Sequence, residues 1–121
     1  MPSSQSHSVA RSIFTKIIER EIPADILFED NACIVIRDIQ PQAPVHLLVI
    51  PKKPLVSLFE ATAEDAALLG HLNIVAAKMA QQEGCVDGFR LIANNGEPSG
   101  QTVFHLHYHV LGRKRLPEQG L

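Results

Sequence analysis

Three histidines, His105, His107 and His109, alternate with Leu106, Tyr108 and Val110 inside the stretch Gly100–Leu111. Alternation at period two is a β-strand pattern, and it sends the three imidazoles to one face and the apolar residues to the other. Same-face neighbours on such a strand stand about 6.5–7 Å apart. Half of the chain's 6 histidines are therefore committed to one sheet face. Rings in such a row fill a face poorly, and each buried ring needs partners for both nitrogens. A lone strand histidine is ordinarily structural. Three at this spacing, after a loop containing Gly, Ser and Thr, point to a functional site.

The flanking residues supply a frame for that strand. Ser12 is placed to cap a short helix running to about Arg20, with Ile13, Phe14, Ile17 and Ile18 on one stripe and Pro23 ending it. Periodicity alone reads that stripe as core. Asp25–Glu29 and Ala32–Asp38 read as strands joined at Asp30-Asn31. Cys33, Val35 and Arg37 fall on one face, with Ile34, Ile36 and Asp38 on the other. By itself Asp38 reads as a turn or capping carboxylate. Pro41 and Pro44 stiffen the next loop, and His46–Ile50 follows as an apolar strand covered on both sides. The break Pro51–Pro54 carries Lys52 and Lys53 and reads as solvated.

Thr62 and Asp65 form a capping box for a long helix over Ala63–Glu83, ended by Gly84. Its broad apolar face includes Ala66, Leu69, Gly70, Leu72, Ile74, Val75, Ala77 and Met79. His71 reads as a structural or surface residue. Phe89–Asn94 is a further strand, Asn94-Asn95-Gly96 a turn, and Glu97–Thr102 the loop into the histidines. Short strands joined without regular crossover helices predict an α+β domain: an antiparallel sheet with a long helix on one face.

At 121 residues the chain is one domain. It divides into a Ser-rich tail over 1–10, a domain over 11–112 and a polar tail over 113–121. Eleven Lys and Arg against 13 Asp and Glu leave a net charge of −2 with no basic run, which disfavours a polymeric nucleic-acid partner. No apolar run reaches membrane-spanning length, and the first ten residues lack a secretory apolar core. Cys33 and Cys85 read as packed, reduced thiols of a cytoplasmic protein.

Gly96, Ser99 and Gly100 expose backbone N–H groups, while Gln101 and Thr102 add side-chain donors. Opposite three histidines, this loop suits a phosphate or sulfate. A neutral imidazole can attack phosphorus, and a neighbouring protonated imidazole stabilises the charge on the equatorial oxygens, with no metal needed. The competing reading is a zinc site, in which two of the three imidazoles, with His46 in place of the third, converge on one ion at about 2.0–2.1 Å.

His105-Leu-His-Tyr-His-Val-Leu111 resembles the histidine-triad (HIT) motif. Ser12–Pro23, Asp38–His46, Val49–Lys53, Leu69–Leu72 and Gly100–His105 extend the resemblance to the Hint branch, the purine nucleoside phosphoramidate hydrolases. The resemblance implies a five-stranded antiparallel sheet with a long helix and a short N-terminal helix, the sheets of two copies joined across a homodimer. It implies a purine nucleotide substrate, such as AMP joined to an amine or an aminoacyl-adenylate, with no cofactor and no metal. His107 would be the nucleophile and would form a nucleotidyl-enzyme. His109 would bond the α-phosphate, and His105 would pair with His46. Asn94, Gly100, Gln101 and Thr102 would contact phosphate and leaving amine. Asp38 would hold the ribose, and Phe14, Ile17, Ile22 and Leu48 would wall the base pocket.

Two other functions are weighed beside this one: a purine nucleotide-binding regulator without turnover, and a dinucleoside polyphosphate hydrolase of the Fhit branch. Leu111-Gly-Arg113 does not fit the Pro-Arg that usually follows the Fhit triad. His109 stands where the transferase branch has Gln. Thr102 stands where relatives often have Ser, and the tail lacks the aromatic end of animal members.

Overall fold

The structure is a computed structural model that describes residues 12–118. The tail over 1–10, the first residue of the expected domain and the last three residues of the chain lie outside the described residues.

The first helix, α1, spans Ile13–Ile18. Ser12 caps it by accepting from the Thr15 N–H at 3.1 Å. It ends two residues earlier than Arg20, and Pro23 is not what stops it. Arg20 turns left-handed at φ 66, and the Glu21 N–H closes back on the Lys16 carbonyl at 2.8 Å. A left-handed residue is a common helix stop, though glycine usually fills it. Here an ion pair between the Arg20 guanidinium and Glu29 anchors the residue instead.

The strands are β1 over Ile26–Glu29, β2 over Cys33–Arg37, β3 over Val45–Pro51, β4 over Phe89–Ile92 and β5 over Tyr108–Gly112. They form one antiparallel sheet in the order β1-β2-β3-β5-β4. Asp30 builds the expected tight turn, its Oδ1 accepting from the N–H groups of Ala32 and Cys33, each at 2.8 Å. Every residue of the central β3 is buried, as its unbroken apolar run requires.

The long helix α2 spans Ala66–Gln82. The capping box is real but sits on a 3-10 turn over Ala63–Asp65 that leads into α2. Its buried stripe is narrower than expected: Leu72, Val75, Ala76, Met79 and Ala80. Those spacings follow one face of a 3.6-residue period. Ile74 lies off that stripe and is 57% exposed. Gly84 ends the helix at φ 92. Lys52 and Lys53 are not free charges on a solvated loop, since they pair with Glu29 and Asp65.

Alternation splits the core in two. Cys33, Val35, Leu47, Val49 and Val110 pack under α2. Ile34, Ile36, Leu48 and Ile50 face the other way and pack with Phe14 and Ile17 of α1. That second face carries the histidines.

Candidate active site

Register sets the site. Leu48 of β3 lies opposite His109 of β5, so both side chains share the α1 face of the sheet, and His46 shares it two residues before Leu48. The His46 and His109 rings lie 5.2 Å apart, and those of His107 and His109 lie 5.0 Å apart. The ring of Phe14 meets His107 edge-on at 4.9 Å.

The histidine row is not one continuous strand. Only His109 lies within β5; His105 and His107 precede it in irregular backbone. The ladder cannot run on, because Pro51 at the end of β3 has no N–H to give. Its carbonyl is free instead, and it accepts from the His105 ring at 2.9 Å. His105 is fully buried there and does not meet His46 as the resemblance implies. His46 pairs with His109, Nε2 to Nδ1 at 2.9 Å.

Partners of fixed polarity assign the tautomers. The Pro51 carbonyl can only accept, so His105 carries its proton on Nε2. Its Nδ1 then accepts from the Ser12 hydroxyl at 3.0 Å, with Thr15 Oγ1 at 3.4 Å. The His105 carbonyl accepts from His107 Nδ1 at 2.8 Å. His107 therefore donates from Nδ1 and keeps a lone pair on Nε2. The Gln42 backbone N–H donates to His46 Nδ1 at 3.0 Å, so His46 holds its proton on Nε2 and points it at His109 Nδ1. His109 in its neutral form then presents an N–H from Nε2. The site offers a nucleophilic nitrogen on one ring and a donor on the next.

Burial keeps these rings neutral. It pushes the imidazole pKa values of His46, His105 and His107 below the ordinary 6.5. In His109, burial and then the neighbouring His107 and His46 push the value down to about 4. A ring that must be neutral to attack is thus neutral at pH 7.

Asp38, His46 and His109 also bring three potential ligand atoms within 4.8 Å of one another. The tautomer works against a metal there. With Nδ1 of His46 accepting a backbone N–H, its Nε2 is protonated and cannot ligate unless that bond is given up.

The remaining expected residues fall into place unequally. Asp38 accepts from the Gln40 N–H at 2.8 Å through Oδ1, the turn role, and turns Oδ2 to within 3.3 Å of His46 Nε2. Phe14, Ile17, Ile22 and Leu48 all belong to the apolar cluster on the histidine face. Gly100 is left-handed at φ 105, and both it and Thr102 are exposed, while Asn94 is half-buried after β4. Gln101 departs from the expectation. Its amide is buried and spent inside the loop, donating to the carbonyls of Val56 and Val103 and accepting from the Gly96 N–H. Its side chain braces the loop and has no donor left for a ligand. Sequence reasoning missed Pro51, Gln42 and the second duty of Ser12. A capping hydroxyl, a backbone N–H and a backbone carbonyl carry no signature of the ring they will meet, and Ser12 is 93 positions from His105.

The HIT domain family matches residues 19–116 of this sequence. The chain belongs to the HIT domain family. A HIT-like protein of Synechococcus elongatus is 57% identical over 87% of this chain and 92% of its own length. The purine nucleoside phosphoramidase of Escherichia coli is 47% identical over 87% of this chain and 89% of its own. Among solved structures, a HIT family hydrolase of Clostridium thermocellum superposes with a TM-score of 0.89 at 43% identity, covering 94% of this chain and all of that one. The five-stranded antiparallel sheet and the long helix of this HIT domain are those the resemblance implied.

Proposed function

We propose that this HIT protein hydrolyses the P–N bond of purine nucleoside phosphoramidates through a nucleotidyl-histidine. The observation that carries this reading is the pair of opposed polarities at the site: a lone pair on His107 Nε2 beside an N–H on His109 Nε2. The 47% identity to a purine nucleoside phosphoramidase supports it. His107 attacks phosphorus, and the P–N bond to the amine breaks. The departing nitrogen takes a proton from solvent, with the Thr102 hydroxyl as the group beside it. Water then attacks the phosphorus, breaks the bond to His107 and returns that proton. His109 holds a phosphate oxygen throughout. Asp38 bonds the ribose, and Phe14, Ile17, Ile22 and Leu48 take the base. The exposed Gly70 and Ile74 on α2 and the edge strand β4 support assembly as a homodimer.

Incubation with adenosine 5′-phosphoramidate tests the reading. AMP and ammonia should appear in equal amounts, unchanged by chelators. AMP binding with no turnover of any phosphoramidate would instead mark a nucleotide-binding regulator.

The acid limb follows from the tautomers. kcat/KM should be level above pH 7 and fall as pH drops below 6.5, the ordinary imidazole value, because protonation fills the lone pair on His107. Stability should move the same way. Rings that are harder to protonate when folded leave the unfolded chain binding more protons. Stability is therefore whole above pH 6.5 and declines as pH falls towards 4, where His109 titrates in the fold. Urea midpoints at pH 7.5, 6 and 5 should decrease in that order.

Ser12→Ala removes the hydroxyl that fixes His105, and through its carbonyl the setting of His107. We expect kcat to fall roughly 10-fold with little change in KM, and stability to fall by about 1 kcal/mol from the lost cap. Ser12→Thr should restore kcat. An equal loss in both variants would mean that the hydroxyl does not act on the ring.

A further inference from the structure

A second cluster lies on the opposite face of the sheet from the histidine site. Asp30 sits in the β1–β2 turn, Cys33 opens β2, and His71 projects from the first turns of α2. One ligand atom from each, a carboxylate oxygen, a thiol sulfur and a ring nitrogen, lie within 4.8 Å of one another. We propose that Asp30, Cys33 and His71 form a binding site for a divalent zinc-like ion, distinct from the reaction centre. The ion would tie the β1–β2 turn to α2.

Three observations carry this. The donor set joins one S, one N and one O ligand, a combination that suits zinc and leaves a fourth position for water. The carboxylate is already oriented, since Asp30 Oδ1 takes two backbone N–H groups and leaves Oδ2 to face His71 Nε2 at 2.6 Å. Outer bonds of this kind are what aim a ligand at a metal. The His71 tautomer also permits ligation, in contrast to His46. His71 Nε2 meets a carboxylate rather than a backbone donor, and the ring is 41% exposed, so its proton can move to Nδ1 and face water.

Binding exchanges protons for the ion. Metal–sulfur, metal–nitrogen and metal–oxygen bonds form; the Cys33 S–H proton leaves to solvent, and the proton between His71 and Asp30 moves or leaves. Burial, then the adjacent Asp30 charge, pushes the Cys33 thiol up to about 12, so the ion must displace a firmly held proton. Asp30 itself is ionised at about 2, because the His71 bond and the two N–H groups outweigh the burial that would raise it. Affinity should therefore rise with pH.

The test is titration of the untagged full-length protein with CoCl2. One equivalent should produce a near-ultraviolet thiolate-to-cobalt charge-transfer band, abolished by one equivalent of ZnCl2. Cys33→Ala should lose the band and Cys85→Ala keep it. Asp30→Asn keeps the turn-forming oxygen, and His71→Gln alters a half-exposed group, so both should fold as judged by circular dichroism. Each should weaken cobalt binding by at least about 10-fold. ZnCl2 should raise the Tm of the parent protein and leave that of His71→Gln unmoved. Three outcomes would overturn the proposal: a folded parent with no charge-transfer band, a band that follows Cys85, or cobalt affinity unchanged in both Asp30→Asn and His71→Gln.

Discussion

Replacing His107 with glycine should reduce kcat on AMP phosphoramidates by about 10^4-fold or more while leaving AMP binding within a few-fold of the parent. The size follows from removing a nucleophile, because the groups that remain cannot form the intermediate. The selectivity follows from geometry. His107 Nδ1 is engaged with the His105 carbonyl, the Phe14 ring meets it edge-on, and the proposed phosphate donors and base-pocket walls lie on other residues. Deleting the ring removes a reacting atom and leaves the binding surface. Glycine also leaves room for added imidazole, which should restore part of the rate. Stopped-flow turnover paired with AMP titration by calorimetry reads both halves. A variant retaining near-parental kcat would place the chemistry on another ring.

The largest expected loss of stability lies at Gly112, the last residue of β5. A Cβ there would sit 2.2 Å from Cys85 Sγ and 3.2 Å from Cys85 Cβ. Gly112 is paired on both sides, with Val45 and Phe89, so the strand cannot slide away. Cys85 is buried just beyond the left-handed Gly84, which limits its own retreat. Gly112→Ala should therefore cost about 3 kcal/mol by overpacking. Cys85→Ala removes the sulfur at a cost of about 1 kcal/mol. In the double variant the two changes should offset one another, so that it is more stable than Gly112→Ala alone, with a coupling of about 2 kcal/mol. Urea denaturation of the four proteins measures this, and simple additivity would show that the strand end moves freely.

Much of this molecule could be read before its structure. The alternation at 33–37 assigned faces correctly, because a buried sheet punishes any slip of register, and the unbroken apolar run at 46–50 marked a strand covered on both sides. The helix cap at Ser12, the Asp30 turn and the stop at Gly84 are local chemistry and were legible for that reason. Three things were not. The histidine motif alternates like a strand, yet the strand begins only at Tyr108, because Pro51 on the facing strand lacks the N–H that would extend the ladder. The partner of His46 is His109 and not His105, a choice set by the register Leu48 to His109 rather than by spacing along the chain. Gln101 resembles a free donor in sequence, but the fold turns its amide inward to hold the loop. Each miss depends on what lies across the sheet or loop. Asp38 fills the bland role with one carboxylate oxygen, which caps the turn, and turns the other towards the His46 ring.

The central claim is a bond between His107 and phosphorus. Rapid mixing of excess protein with adenosine 5′-phosphoramidate, an acid quench within milliseconds and peptide mass spectrometry tests it directly. The account predicts a transient adenylyl adduct on the peptide containing His107, absent from the glycine variant and decaying as AMP appears. AMP accumulating at full rate with no adduct at any time point, or an adduct on another residue, would contradict it.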